Sequence, residues 1–167
     1  MPPPIIACLD HAELADVAAL RTLEAAAFPG DAYLHERLET RQFRHLIRHG
    51  HAELPVLRGA DGGLLGYAAL LYRRRSTSAR LYSLAVPPAY QGVGLGALLV
   101  AWCESLAAAR GCSRMLLEAL ASNTTLLRFY HAQGYTLQKL LPGYYSGGQD
   151  GLRLVKALPD IPPIRTP

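Results

Sequence analysis

The sequence predicts one mixed α/β domain of the α+β class, on three observations. Its 167 residues, half of them apolar, are enough for one hydrophobic core and cramped for two. Apolar residues recur at helical spacing near the N-terminus and then at the shorter period of strands, before the two patterns alternate. No internal repeat or linker interrupts this order. We therefore expect a single domain over residues 1–158 and a proline-rich, disordered tail over residues 159–167.

The N-terminal part is predicted to hold a short strand and two helices. The strand is the apolar run from Ile5 to Leu9. Asp10 is the candidate N-cap of the first helix, with Glu13 at the capping-box position, and Pro29-Gly30 ends that helix. The second helix is predicted from about Leu34 to His49. Its arginines fall on one face at positions 37, 41, 44 and 48.

Beyond Gly50 the apolar period shortens towards two, which predicts an antiparallel meander. The first strand is expected at Ala52–Leu57 and the second at Leu64–Tyr72. Asp61-Gly62-Gly63 is typical of the turn between them. After a polar connection from Arg73 to Ala79, the third strand is expected at Leu81–Val86, because Pro87-Pro88 follows it.

The second half of the chain alternates helices and strands. Apolar spacing with a glycine stop predicts helices at Gly94–Arg110 and Thr124–Gln133. A strand is expected between them, at Met115–Leu120. Two closing strands are predicted around a loop rich in glycine and tyrosine. The strands are Tyr135–Leu141 and Leu152–Ala157, and the loop is Pro142–Gly151.

Composition and charge exclude several classes of function. The formal net charge is +4, with 17 Lys+Arg against 13 Asp+Glu, which is too weak to predict a DNA partner. The three cysteines form no CxxC pair, and no HExxH pattern accompanies His45, His49 and His51, so no metal is expected. No apolar run approaches the length of a membrane span, and Met1 to Pro4 lacks a charged signal region. These features predict a cytoplasmic protein with no membrane partner.

The most informative stretch runs from Leu84 to Gly96. A strand ends, a glycine-rich turn follows, and an apolar-faced helix begins at once. Glycines let successive backbone N–H groups point into one concavity beside the positive end of the helix, which suits a pyrophosphate. Glycine spacing alone is as typical of an ordinary turn. The stretch contains no Gly-Lys-Ser/Thr triplet, and Gly92, Gly94 and Gly96 miss the dinucleotide-binding Gly-x-Gly-x-x-Gly spacing by one residue.

The motif Gln91-Gly92-Val93-Gly94-Leu95-Gly96, after the strand Leu84-Ala85-Val86, resembles the signature of the GCN5-related N-acetyltransferase (GNAT) family. Downstream, Leu117-Glu118, Ala121-Ser122-Asn123 and the run from Phe129 to Tyr135 resemble that family's next strand and helix, in the same order and spacing. The resemblance implies a central, mostly antiparallel sheet, splayed at its fourth and fifth strands and flanked by about four helices.

Within the family, the likeness is closest to bacterial enzymes that acetylate the N-terminal alanine of a ribosomal protein. It rests on Glu118 with Tyr130 twelve positions later, and on the late pair Tyr144-Tyr145. The sequence departs from those enzymes after the glutamate. They commonly have Glu-Val-Arg there, whereas this chain has Glu118-Ala119-Leu120.

The resemblance implies that acetyl-CoA is the acetyl donor. By the family's pattern, the pantetheine arm pairs with Leu84, Ala85 and Val86, and the Val86 N–H contacts the acetyl carbonyl. The pyrophosphate lies on the N–H groups of Gln91 to Gly96. Asn123 is equally a pantetheine contact or a helix cap.

The same resemblance implies direct attack of a primary amine in a ternary complex. Glu118 is the expected general base, against the alternative of a solvated strand residue. Tyr130 is the expected general acid for the departing thiolate, against a half-buried helix aromatic. Tyr144 and Tyr145 bind the substrate or simply anchor their loop.

The leading expectation for the acceptor is the N-terminal α-amine of a protein or peptide. One alternative is a small amine, such as a polyamine, an amino acid or an antibiotic. Another is a non-catalytic sensor that binds acetyl-CoA, which the presence of both Glu118 and Tyr130 disfavours. Both a monomer and a homodimer are compatible with the sequence.

Overall fold

The computed structural model describes residues 5–30 and 37–160. Within them lie four α-helices and eight β-strands. The helices are α1 (Val17–Ala27), α2 (Thr40–Arg48), α3 (Leu95–Ala109) and α4 (Thr124–Ala132). The strands are β1 (Ala7–His11), β2 (Ala52–Glu53), β3 (Pro55–Gly59), β4 (Leu64–Tyr72), β5 (Ser78–Ala85), β6 (Arg114–Leu120), β7 (Thr136–Leu141) and β8 (Gly151–Ala157).

The strands form one sheet in the order β1-β3-β4-β5-β6-β8-β7, with β2 paired to β4. β1 with β3, β3 with β4, β6 with β8 and β7 with β8 are antiparallel. β5 and β6 are parallel, and their pairing runs from Ser78↔Arg114 to Leu81↔Leu117. Beyond that stretch β5 continues to Ala85 and β6 to Leu120. This confirms the predicted mixed fold, with a mostly antiparallel sheet and four helices among the described residues.

The described chain divides into two compact units. The first comprises residues 5–30, 37–71 and 83–103, and the second comprises residues 72–82 and 104–160. In the first unit, α1 and α2 bury Leu20, Leu23 and Phe43 in a cluster with Tyr67 of β4. In the second, one face of β6 is buried through Met115, Leu117 and Ala119. A single domain over residues 1–158 stays a prediction, and residues 161–167 of the tail lie outside the described part.

The N-terminal boundary of the first helix was predicted wrongly. Asp10 lies in β1, where its carboxylate accepts a hydrogen bond from Arg58 Nε at 2.7 Å. The capping box belongs to Glu13, whose backbone N–H donates to Asp16 Oδ2 at 2.7 Å ahead of a short 3₁₀ turn. α1 then begins at Val17. A capping box is therefore present, but it begins at Glu13 and not at Asp10. Asp10 stays in the strand because it forms an ion pair with the distant Arg58.

The second helix also begins later than predicted. Positions 34–36 lie outside the described residues, and α2 starts at Thr40 after an N-cap at Glu39. Arg37 therefore precedes the helix and is not part of an arginine face. Its guanidinium donates to the backbone carbonyls of Phe28 and Gly30.

Two strand boundaries differ from the prediction in ways that matter for the site. The expected strand Ala52–Leu57 is divided at Leu54 into β2 and β3. β5 begins at Ser78 instead of Leu81, because its first residues pair with β6. Arg80 consequently lies inside a strand, where the alternation of side chains fixes which face it occupies.

Candidate active site

The glycine-rich turn is formed as the sequence predicted, between β5 and α3. A 3₁₀ turn at Pro88–Tyr90 follows the strand, and the Gln91 side chain donates through Nε2 to the Val86 carbonyl at 2.8 Å. Gly92 and Gly94 adopt φ values of 79° and 90°, which side chains disfavour. Apart from the adjacent residues in the sequence, no heavy atom of residues 5–30 and 37–160 lies within 4 Å of a Cβ built at either position. The turn thus leaves open space beside exposed backbone.

Helix α3 begins directly after this turn. The Gly94 carbonyl accepts from the Leu98 N–H at 3.0 Å, which is the first bond of the helix. The N–H groups of the first turn have no intrahelical acceptor, and the helix dipole adds partial positive charge there. Two left-handed glycines, open space and a helix start together fit a pyrophosphate group.

The end of β5 is held by close packing against β4. A Cβ on Gly66 would lie 3.1 Å from the Ala85 carbonyl oxygen and 3.2 Å from Val86 Cγ2. Ala85 and Val86 are buried, and Leu84 packs against the adjoining cluster. The three residues predicted to pair with the pantetheine arm therefore have a fixed backbone.

Glu118 lies on the opposite face of β6 from the buried Met115, Leu117 and Ala119. Its side chain is nevertheless only 5% exposed, because two arginines cover it. Arg80 Nε of β5 donates to Oε2 at 2.8 Å, and Arg153 Nε of β8 donates to Oε1 at 3.1 Å. The solvated strand residue considered from sequence is not what the structure shows. The carboxylate is a shielded anion with two cationic partners.

Arg80 also ties this carboxylate to the loop before β8. A terminal nitrogen of Arg80 donates to the Tyr144 hydroxyl at 2.8 Å, and its guanidinium lies 5.2 Å from the centre of the Tyr82 ring. Burial alone would lower the pKa of Arg80, but the charge and hydrogen bond of Glu118 outweigh it and raise that pKa. Arg80 therefore stays charged.

The loop that carries Tyr144 and Tyr145 is internally braced. The rings of the two tyrosines meet edge to face at 5.0 Å. The Gly143 N–H donates to Asp150 Oδ1 at 2.8 Å, and the Ala121 N–H donates to the Asp150 carbonyl at 2.9 Å. These bonds connect the loop to the segment that follows β6.

Asn123 and Tyr130 belong to α4. Asn123 is the N-cap, since its Oδ1 accepts from the Leu126 N–H at 3.1 Å, which leaves the amide nitrogen as a donor for a ligand. Tyr130 is buried, with its ring edge to face against Phe129 at 5.1 Å and Tyr135 at 5.6 Å. The helix-cap role of Asn123 is thus observed, whereas its contact with pantetheine stays a prediction.

The predicted site residues divide between the two units. Those of the strand end and the glycine turn, from Leu84 to Gly96, lie in the first unit. The others lie in the second, and Arg80 brings Glu118 and Tyr144 together there. The remaining members of that second group are Asn123, Tyr130 and Tyr145.

Sequence reasoning missed Arg80 and Arg153. The sequence pattern places Arg80 between a polar connection and a predicted strand, and Arg153 inside the last predicted strand. A signal was present, because each arginine has apolar neighbours in the sequence, as in Ala79-Arg80-Leu81 and Leu152-Arg153-Leu154. In a strand this alternation places the arginine on the face opposite its apolar neighbours, and Leu117-Glu118-Ala119 has the same pattern.

Residues 17–135 match the model of the acetyltransferase (GNAT) family. This match covers most of the chain and includes the glycine turn, Glu118 and Tyr130. The chain belongs to the acetyltransferase (GNAT) family. Members of this family use acetyl-CoA as the acetyl donor.

Two curated relatives agree with this assignment. An uncharacterized N-acetyltransferase of Methanocaldococcus jannaschii is 34% identical over 60% of this chain and 64% of its own length. A streptothricin acetyltransferase of Streptomyces lavendulae is 29% identical over 53% of this chain and 47% of its own length. The chain therefore spans less than two thirds of the length of each of these two curated relatives.

Solved structures share the fold at low sequence identity. The ribosomal-protein-S18-alanine N-acetyltransferase of Escherichia coli superposes with a TM-score of 0.79 at 20% identity, covering 97% of this chain and 99% of that one. Ard1 of Thermoplasma volcanium superposes with a TM-score of 0.78 at 20% identity, covering 92% of this chain and 98% of that one.

Two further observations concern ions and membranes. The ring of His45 on α2 lies 4.1 Å from the ring of His49, which follows the helix. No group of three or more potential metal ligands occurs within residues 5–30 and 37–160. Over the same residues, no helix has both the length and the apolar character needed to cross a bilayer.

Proposed function

We propose that this acetyltransferase moves the acetyl group of acetyl-CoA to the α-amine at the N-terminus of a peptide or protein. The observation that carries the proposal is the environment of Glu118. This buried carboxylate accepts hydrogen bonds from two arginines, so its immediate surroundings hold two positive charges and one negative charge.

Such surroundings favour an amine that loses its proton easily. A free α-amine has a pKa of about 8, against about 10.4 for a lysine side chain. Excess positive charge disfavours a bound ammonium ion and lowers its pKa further. An α-amine is already partly neutral near pH 8, so a large share of it can attack without the prior removal of a proton. Glu118 therefore suits an α-amine better than a lysine or a polyamine.

The donor side of the proposal follows the pattern of the family. The N–H groups of Gln91 to Gly96 hold the pyrophosphate, and the backbone of Leu84, Ala85 and Val86 pairs with the pantetheine arm. The Val86 N–H polarises the acetyl carbonyl, and the Asn123 amide nitrogen donates to pantetheine. The open space beside Gly92 and Gly94 supports this arrangement.

The chemical step is direct attack in a ternary complex. The amine nitrogen forms a bond to the carbonyl carbon of the thioester, and the carbon–sulfur bond breaks. Glu118 accepts the proton that the amine gives up, directly or through water. Tyr130 donates its hydroxyl proton to the departing sulfur. Tyr144 and Tyr145 contact the acceptor from the loop before β8.

A second candidate is acetylation of a small amine. Its support is the match to the streptothricin acetyltransferase, whose own acceptor is a small molecule by name. The two arginines beside Glu118 argue against acceptors that carry several positive charges, because like charges repel in a partly desolvated site.

The two candidates are separated by measuring thiol release from acetyl-CoA against a panel of acceptors. The panel contains peptides with N-terminal Ala, Ser or Met, their N-terminally blocked forms with an internal lysine, spermidine and an aminoglycoside. We expect turnover on the free α-amine peptides only. Turnover confined to spermidine or the aminoglycoside would overturn the proposal in favour of the second candidate.

A further inference from the structure

A row of charged residues crosses four strands within the second unit. Lys139 on β7 is the Cα partner of Arg153 on β8, and Arg153 is the Cα partner of Glu118 on β6. Arg80 on β5 binds the other oxygen of Glu118. This charged row, Lys139–Arg153–Glu118–Arg80, therefore holds three cations and one carboxylate.

The excess positive charge of the row does not stabilise the sheet. Like charges directly opposite each other on neighbouring strands destabilise a sheet, and Lys139 faces Arg153 in this way. Glu118 binds each arginine through a single oxygen and leaves excess positive charge. Arg80 and Arg153 remain 39% and 32% exposed, so that charge is accessible to a ligand.

The arginines also keep unused donors. Both bind Glu118 through Nε, whereas a guanidinium has five N–H donors in a planar fork. One terminal nitrogen of Arg80 donates to Tyr144. In the described part of the chain, the terminal nitrogens of Arg153 make no hydrogen bond to another residue. Paired terminal nitrogens of this kind match the geometry of a carboxylate.

We propose that the charged row binds a carboxylate of the acceptor, and that the preferred acceptor is a peptide with an acidic side chain within its first two residues. This inference rests on the proposed function, in which Glu118 lies beside the α-amine of the bound peptide. The side chain of the first or second residue of that peptide can then reach Arg153 or Arg80. The carboxylate supplies the negative charge that the row lacks.

The test uses isosteric peptide pairs that differ only in charge. The pairs begin Ala-Asp and Ala-Asn, or Asp-Ala and Asn-Ala, with the remaining sequence identical and free of lysine. We expect kcat/KM for the acidic member of at least one pair to be about tenfold higher, as a charge-assisted bidentate contact warrants. Arg153→Gln is expected to reduce this ratio at least fivefold. Arg74→Gln, in the exposed turn before β5, removes the same charge elsewhere and is expected to leave the ratio unchanged.

The wild-type ratios decide the matter even if Arg153→Gln fails to fold. Equal kcat/KM for Asp and Asn peptides in both pairs would overturn the inference while leaving the proposed function intact. An equal loss of the ratio in Arg153→Gln and Arg74→Gln would overturn the assignment to this row. Acetylation of none of the four peptides, with spermidine acetylated, would instead overturn the proposed function itself.

Discussion

The ring of Tyr130 packs between Phe129 and Tyr135, so removing only its hydroxyl keeps those contacts. If the hydroxyl protonates the departing sulfur, Tyr130→Phe should lower kcat about 100-fold, within the range for general acid catalysis. The dissociation constant for acetyl-CoA should change less than threefold. Stopped-flow turnover and calorimetric binding measure the two quantities.

Tyr135→Phe is the matched control for that substitution. Tyr135 is also buried, and its hydroxyl donates to Glu104 Oε1 at 3.0 Å within the second unit. Its loss should lower stability by about 1 kcal/mol and leave kcat within a factor of two. Equal kcat losses in the two variants would assign Tyr130 a structural role.

Glu24 is a buried carboxylate that the proposed chemistry does not use. It is 3% exposed, and it accepts hydrogen bonds from the Tyr67 hydroxyl at 2.5 Å and the Leu38 N–H at 3.0 Å. Burial raises the pKa of Glu24 above its ordinary value of 4.5, against the opposing effect of these two hydrogen bonds. The folded state therefore favours the protonated acid.

This shift predicts how stability depends on pH. A raised folded-state pKa means that the folded protein binds the proton more tightly than the unfolded chain. The contribution of Glu24 is thus fully present below about pH 4.5 and is lost as pH rises through the folded pKa. We expect Glu24→Gln to gain stability relative to wild type between pH 5 and pH 8. Urea unfolding at several pH values measures this difference, and parallel curves would contradict it.

At the scale of elements, the glycine turn before α3 can be tested by substitution, and a second glycine turn provides the control variant. Gly92 in that turn and Gly62 in the β3–β4 hairpin have φ values of 79° and 81°, both with open space around a built Cβ. Alanine at either position should cost about 1–2 kcal/mol through left-handed strain. Only Gly92→Ala should also raise KM for acetyl-CoA, by about tenfold. If KM for acetyl-CoA were equal in the two variants, the pyrophosphate would not bind at this turn.

Elements defined by local pattern were predictable from the sequence. β4 has its predicted bounds, Leu64–Tyr72, because apolar residues run between a glycine turn and a polar connection. α3 and α4 begin and end within one residue of their predicted bounds. Errors fell where distant partners set the boundary. Arg58 holds Asp10 in β1, and pairing with β6 extends β5 back to Ser78.

In the candidate site, too, contacts between residues distant in the sequence were not predicted. Glu118 and Tyr144 were identified through the family resemblance, and both lie in one hydrogen-bonded cluster. Arg80 and Arg153 belong to that cluster too, but they are 38 and 35 positions from Glu118 in the sequence. Strand order and register bring them to one face, and neither follows from local spacing.

At the scale of the whole molecule, residues 17–135 show the family, whereas the acceptor depends on particular side chains. The family match and the GNAT-like sheet are shared by enzymes with different acceptors by name, from a ribosomal protein to streptothricin. The carboxylate between two arginines is a feature of this chain's own residues. The proposed choice of an α-amine therefore rests on that cluster.

The most direct test of this claim is a single peptide that offers two amines in competition. It carries a free N-terminal α-amine and one internal lysine, and tandem mass spectrometry locates the acetyl group after incubation with acetyl-CoA and the enzyme. We predict acetylation of the α-amine alone, with no product from the same peptide blocked at its N-terminus. Acetylation of the lysine, at a rate that blocking the N-terminus does not change, would contradict the proposed function.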